Sequence, residues 1–179
     1  MDKMQKELQK KAKKIGEIGS KMAKAVTVPL MCIFAISTKG MQEMRSDLAK
    51  LETNAQMAGQ GLESLHKQMA YLNAVTGETD SNVEALSNLM ASGFKNTQLD
   101  KELDSLAGAV IKFPDTMKIE GLADGLQETL ATGKAIGPFS ELLERSGINL
   151  ETFNEGLAKA SASGKQHNYI LQTLANTGL

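Results

Sequence analysis

Residues 41–72 read MQEMRSDLAKLETNAQMAGQGLESLHKQMAYL. Apolar residues fall at Met41, Met44, Leu48, Leu51, Ala55, Ala58, Leu62, Leu65, Met69 and Leu72, with spacings that alternate strictly between three and four. That period is the seam of a helix burying one narrow face against another helix. The flanking positions are less regular. Arg45, Glu52, Gly59 and His66 occupy the heptad e sites, and Asp47, Asn54, Gly61 and Gln68 the g sites. A parallel self-paired rod would set Asp47 against Glu52 and put glycines where charges normally select a partner, which disfavours that arrangement. Gly59-Gln60-Gly61 also interrupts the stripe at its middle. Two conformations are open: one helix of about 48 Å at ~1.5 Å per residue, or a hairpin with Leu48 and Leu51 facing Leu65 and Met69.

The 179 residues suit one domain, or a small domain with an arm, and 41% hydrophobic content supports a packed core. The net charge of -1 conceals an asymmetry. Residues 1–25 hold eight lysines against Asp2, Glu7 and Glu17, giving +5, while the remainder holds twelve basic and eighteen acidic residues, giving -6. A basic arm precedes an acidic body. Five Phe, two Tyr and no Trp leave little with which to stack nucleic-acid bases, and the ten methionines suit adaptable helix contacts. A single cysteine, Cys32, cannot form an internal disulfide, which is compatible with a reducing cytoplasm.

Within the arm, Met4, Leu8, Ala12, Ile15, Ile18 and Met22 recur at helical spacing among the lysines, describing a basic amphipathic helix. Gly16 and Gly19 each weaken it by about 1 kcal/mol relative to Ala, so its order is expected to depend on a partner surface. Residues 25–36 carry no charge and include Val26, Val28, Pro29, Leu30, Ile33 and Phe34. Twelve residues fall short of the roughly 20 needed to span a bilayer. They provide a candidate membrane or partner segment, or the core of a signal peptide with Ala35-Ile36-Ser37 as its cleavage site. Pro29, lacking a backbone donor, favours instead a break and a fresh helix start.

The rest of the chain is punctuated by helix signals. Thr76 to Asp80 reads as a turn, and Ser81 with Glu84 as a capping box opening a helix that runs through Leu89 and Met90 to a stop at Gly93. Thr97 begins a helix ending before Pro114. Leu122, Leu126 and Leu130 mark a helix over 119–132, and Gly133 to Gly137 a loop. Pro138 suits a first helical position in a segment ending at Gly147, Asn149 caps the next helix, and a last one runs from about Lys165 to Gly178. No alternation of strand period persists. The expectation is an all-α chain of seven to nine helices, arranged as hairpins or a bundle, with residues 1–36 as the arm and 37–179 as the acidic helical region.

No reaction centre is legible. His66 and His167 stand about a hundred residues apart with no Cys or acidic partner at ligand spacing, and both read as polar residues on helix surfaces. Gly133-Lys134 and Gly164-Lys165 lack the remainder of a phosphate loop, and no serine sits in a Gly-x-Ser-x-Gly elbow. Glu141 and Glu144 share a face that suits solvent better than acid–base work. Gly121 and Gly125, spaced four apart, allow a close helix approach, and Gly133 and Gly137 a turn. The chain is read as a non-enzyme without catalytic, cofactor or metal residues.

Several stretches carry a family likeness: Gly19 to Leu30, with its Val26-Thr27-Val28-Pro29-Leu30 step; Leu89-Met90-Ala91-Ser92-Gly93-Phe94; Gly121 to Gly133; Gly137-Pro138-Phe139-Ser140-Glu141-Leu142-Leu143 through Leu150; and Asn168 to Leu179. Together they resemble the tail tape measure proteins of long-tailed bacteriophages and prophages of Gram-positive bacteria. The chain departs from the family at Met31-Cys32-Ile33-Phe34, where small residues are usual. The resemblance implies a structural phage protein that sets tail length as a scaffold during tail assembly and assists genome delivery. It implies self-association, contacts with tail-tip, tail-tube and assembly-chaperone proteins, possible contact of the arm with the host membrane, and only indirect contact with DNA. It also implies residence in the bacterial host cytoplasm during assembly and then in the lumen of the virion tail. Such proteins continue into long helical regions, and 179 helical residues span only about 270 Å, so an amino-terminal fragment or a shortened prophage remnant is expected. The alternative drawn from the arm alone is an exported or membrane-active helical protein using residues 1–36.

Overall fold

The computed structural model describes residues 41–57 and 59–179. They form eight helices: α1 Met41–Met57, α2 Leu62–Thr76, α3 Thr79–Ala91, α4 Asn96–Lys112, α5 Ile119–Thr132, α6 Gly137–Arg145, α7 Leu150–Ala162 and α8 Gln166–Ala175. No strand occurs among the described residues, so the fold is all-α and multi-helical, as the apolar periodicity predicts. The chain divides into two compact units, residues 1–48 and 49–179. Only the opening of α1 belongs to the described part of the first. The expected basic helix, the signal-peptide reading and the candidate membrane segment at Val26, Val28, Pro29, Leu30, Ile33 and Phe34 lie outside the described residues.

The core of the second unit is built from leucine at helical spacing. Leu65, Met69 and Leu72 on α2, Leu86 and Leu89 on α3, Leu99, Leu103 and Leu106 on α4, and Leu122 and Leu126 on α5 are all sealed from solvent. The most extensive contact joins α3 to α5; α2 packs against both α3 and α4, and α4 against α5 and α8. From α5 the chain continues by successive neighbours, α5 on α6, α6 on α7 and α7 on α8. The last helix therefore returns to α4. Rings mark this second half of the core: Phe139 and Phe153 meet edge-on at 6.2 Å between centroids, and Phe153 lies 5.5 Å from Tyr169. Such pairs prefer edge or offset geometry because ring faces are negative and ring edges positive.

Helix ends follow the glycines. At Gly93 (φ 93°) the amide returns to the Met90 carbonyl and the Phe94 amide to Leu89, closing a Schellman motif that seals Phe94 in the core. Comparable closures end α6 at Gly147 and α7 at Gly164. Asn149 caps α7 by accepting the Thr152 amide at 2.9 Å, and Pro138 occupies the first turn of α6. The capping box expected at Ser81 and Glu84 does not form. Helix α3 starts at Thr79 with Glu78 at its N-cap, three residues earlier, so Ser81 is already inside its first turn and its hydroxyl turns back to Glu78. A polar cluster explains the shift. Buried Asn82 donates to Asn73 at 2.9 Å and accepts from Thr76 at 2.9 Å, while the Glu78 amide donates to the Thr76 hydroxyl. These bonds hold the α2–α3 corner to Gly77-Glu78 alone.

Candidate functional site: a seam folded back on itself

The heptad seam does not form a rod. After α1, Gly59 takes φ 73°, its amide bonds the Gln56 carbonyl, and the Gln60 amide reaches Ala55 at 2.7 Å. This Schellman motif stops the helix where only glycine enters the left-handed region without strain. Glu52 and His66 measure the result. Fourteen residues apart on a continuous helix, they would be separated by about 21 Å; the Glu52 Oε1 to His66 Nε2 distance is 3.8 Å. The chain reverses between them.

The seam residues are accordingly shared between two helices. Met41, Met44, Leu48, Leu51 and Ala55 belong to α1, and Leu62, Leu65, Met69 and Leu72 to α2; Ala58 lies outside the described residues. Leu48, Leu51, Ala55, Leu65, Met69 and Leu72 are buried, and Leu62 is half-buried. The α2 half of the stripe faces α3 and α4. In that half the apolar period supplies the core of this chain.

A polar ladder beside the seam fixes the reversal, and sequence reading missed it. Gln60, buried in the turn, accepts the Asn96 amide at 3.0 Å and donates to Ser64 at 3.0 Å. One turn further along α2, Gln68 donates to Asp100 at 2.6 Å. The i, i+4, i+8 spacing of Gln60, Ser64 and Gln68 aligns three polar side chains against the start of α4. Asn96 is the one described non-glycine residue with positive φ, 49°, a conformation asparagine tolerates better than most residues. Gln68 at a seam-flanking position and Gln60 between the two glycines were the available signal, but nothing in their spacing pointed to α4.

The histidines correct the expectation of solvated surface residues. His66 is only 8% exposed, and its Nε2 has no hydrogen-bond partner. His167 is half-buried on α8; its Nε2 meets the Ser92 carbonyl at 2.7 Å, and its ring stands edge-on to Phe94 at 4.7 Å. Donation from Nε2 satisfies an orphan carbonyl at the end of α3, a role that a polar tip on a flat ring suits. Among the described residues no cluster of three or more His, Cys, Asp or Glu is placed to hold a metal ion, and no helix is long and apolar enough to cross a membrane.

Two exposed features remain. A shallow groove of about 200 Å³ is lined by Val75, Val110, Ile111, Pro114, Met117 and Ile119, smaller than the roughly 300 Å³ at which small-molecule sites begin. Lys118 and Glu78 bridge its rim at 3.0 Å, so that Lys118 raises its own proton affinity through Glu78 while Glu78 is held below the ordinary carboxylate range. Ile111 is 64% exposed and Met57 83%. Single exposed apolar residues are ordinary on soluble surfaces.

Gly121 and Gly125 do permit a close approach. Pro138 lies in ordinary contact range of Gly121, while Gly125 sits directly against the Ile136–Phe139 backbone. Buried Thr129 completes that junction, donating to the Gly125 carbonyl at 2.6 Å and accepting the Ile136 amide at 3.2 Å. Gly133, in the left-handed region, ends α5 and begins the turn to α6. Comparison of the chain with protein-family models, with curated proteins and with solved structures returned no match.

Proposed function

We propose that this chain is a structural component of a bacteriophage or prophage tail, the amino-terminal helical region of a tail tape measure protein. The observation that carries the proposal is the resemblance over Gly121–Gly133, Gly137–Leu150 and Asn168–Leu179. It is supported by the all-helical build of the described residues and by a seam whose contacts are helix to helix. In this reading the chain acts as a scaffold in tail-length determination and assists genome delivery. It works alongside tail-tip, tail-tube and chaperone proteins in the host cytoplasm and then inside the tail. Its residues contribute packing surfaces rather than a reaction.

In-frame deletions of whole helices, made in the phage or prophage gene, test the proposal. Deletions that remove α5 to α7 are expected to shorten tails or abolish their assembly, as measured on electron micrographs alongside plaque counts. Normal tails and undiminished infectivity from every deletion would overturn it.

A further inference from the structure

Glu102 on α4 is fully buried, and neither carboxyl oxygen has a hydrogen-bond partner. An ionised carboxylate in such a place lacks both water and compensating donors, so the site holds the neutral acid far more readily. Its position on α4 relates it to the last helix. The side of α4 carrying Asp100 and Asp104 faces α2, through the Gln68 bond and the nearby Tyr71. Gln98, one turn before Glu102 and on the same face, donates to Asn168 of α8 at 2.8 Å. Farther along, Gly108 lies so close to Leu179 that a β-carbon there would come within 2.8 Å of the Leu179 carbonyl carbon. The last helix thus meets α4 one turn from Glu102 and on its side, and the tail reaches α4 farther round, at Gly108.

Among the described residues few hydrogen bonds hold α8 in place. Ile170 and Leu174 are its buried residues. Among the described residues, apart from Gln98 with Asn168, its side-chain hydrogen bonds to the rest of the body are His167 to the Ser92 carbonyl and Tyr169 to the Phe153 carbonyl at 3.2 Å. It is joined to α7 by a turn at Gly164, with φ 67°.

We propose that α8 is a pH-sensitive strap, docked on α4 while Glu102 is a neutral acid and released when that carboxyl ionises and must be hydrated. The titratable groups on the helices packed against α4 do not offset such a charge. On α2, Glu63 and Lys67 pair with each other at 2.9 Å on the exposed side, His66 is beside Glu52, and Tyr71 is beside Asp104. On α5, Glu120 acts on Lys118, and Asp124 and Glu128 are exposed. On α8, His167 and Tyr169 are engaged with the carbonyls already named. Burial alone pushes the Glu102 carboxyl up to about 8, which sets release in the mildly alkaline range. Such a strap would operate whether or not the chain serves in a phage tail.

Amide hydrogen exchange of the full chain between pH 6 and pH 9, corrected for intrinsic rates, reads the strap directly. Protection over 166–175 is expected to fall at least about tenfold and to be lost at a pH where 119–132 is still protected. The coupled equilibrium moves about tenfold for each pH step of one over which the docked acid keeps a proton that the released acid has lost. Glu102→Gln, a neutral isostere, is expected to keep α8 protected throughout. The proposal is overturned by flat protection of α8 in the wild type, by loss of protection in all helices together, or by the same pH response in Glu102→Gln. Should that variant fail to fold by circular dichroism, NMR of carboxyl-labelled glutamate in the wild type decides. The Glu102 carboxyl and the α8 amides must titrate with one shared midpoint near pH 8, and a Glu102 midpoint in the ordinary range near 4.5 would overturn the strap.

Discussion

Gly125 lies against Ile136 so closely that a β-carbon on it would stand 2.9 Å from the Ile136 carbonyl oxygen and 3.0 Å from the Phe139 amide nitrogen. Both neighbours are backbone at the start of α6 and cannot rotate aside. Gly125→Ala is therefore expected to destabilise the protein by about 1–3 kcal/mol through overpacking. Gly121→Ala, whose new carbon would meet only Pro138 at 3.5 Å, should be neutral or gain up to about 1 kcal/mol of helix propensity. Urea denaturation of the two variants separates them, and equal effects would show that the contact at Gly125 is not what limits the site.

The reversal after α1 rests on the left-handed backbone at Gly59, while Gly61, at φ -69°, is conformationally ordinary. Gly59→Ala is expected to cost about 1–2 kcal/mol. Gly61→Ser, at the N-cap of α2, should be neutral or stabilising by a few tenths of a kcal/mol, because serine offers an acceptor to the first-turn amides. Thermal unfolding of both variants is the check. A larger loss at Gly61 than at Gly59 would contradict the assignment of the turn.

Stability should decline as pH rises from about 4.5 to about 8. In this interval the folded chain retains the Glu102 proton while the unfolded chain has released it, so each step upward favours unfolding. Below the interval both states are neutral at this position, and above it the loss is complete, up to about 5 kcal/mol at ~1.4 kcal/mol per pH unit. Denaturant midpoints measured across this range should slope downward in the wild type and flatten in Glu102→Gln.

Asn149→Ala removes the acceptor of the Thr152 amide and should cost about 1 kcal/mol. Ser81→Ala should change stability by less than about 0.5 kcal/mol, since Ser81 caps nothing. Paired denaturation curves test both, and a large effect at Ser81 would restore the capping box that the structure lacks.

How much of this was legible depended on whether a feature is local. The stops at Gly93 and Gly147, the cap at Asn149, Pro138 in the first turn of α6 and the close approach at Gly121 and Gly125 each follow from the chemistry of a few adjacent residues, and they could be read directly. Burial of Glu102 could not be read, because Lys101-Glu102-Leu103-Asp104 has the composition of an exposed helix turn, and its cover comes from helices distant in sequence that pack on α4. His66 escaped for a related reason, since the reversal brings Glu52 to a side chain that a straight helix would leave in solvent. The Ser81 box failed through competition: Asn73, Thr76 and Asn82 began α3 sooner than the local motif did. For the seam, heptad period and glycine pair were both visible, but choosing between rod and hairpin required the Gln60 to Asn96 bond, which spans 36 residues.

The reversal at Gly59 leaves the apolar phase unbroken, for Ala55 and Leu62 remain seven residues apart on either side of it. A chain pulled from its two ends would meet there a joint that lengthens without shifting register. Straightened, the same 32 residues would reach about 48 Å. The turn is in this sense a store of slack, held shut by one left-handed glycine and by a glutamine whose two ends grip different helices.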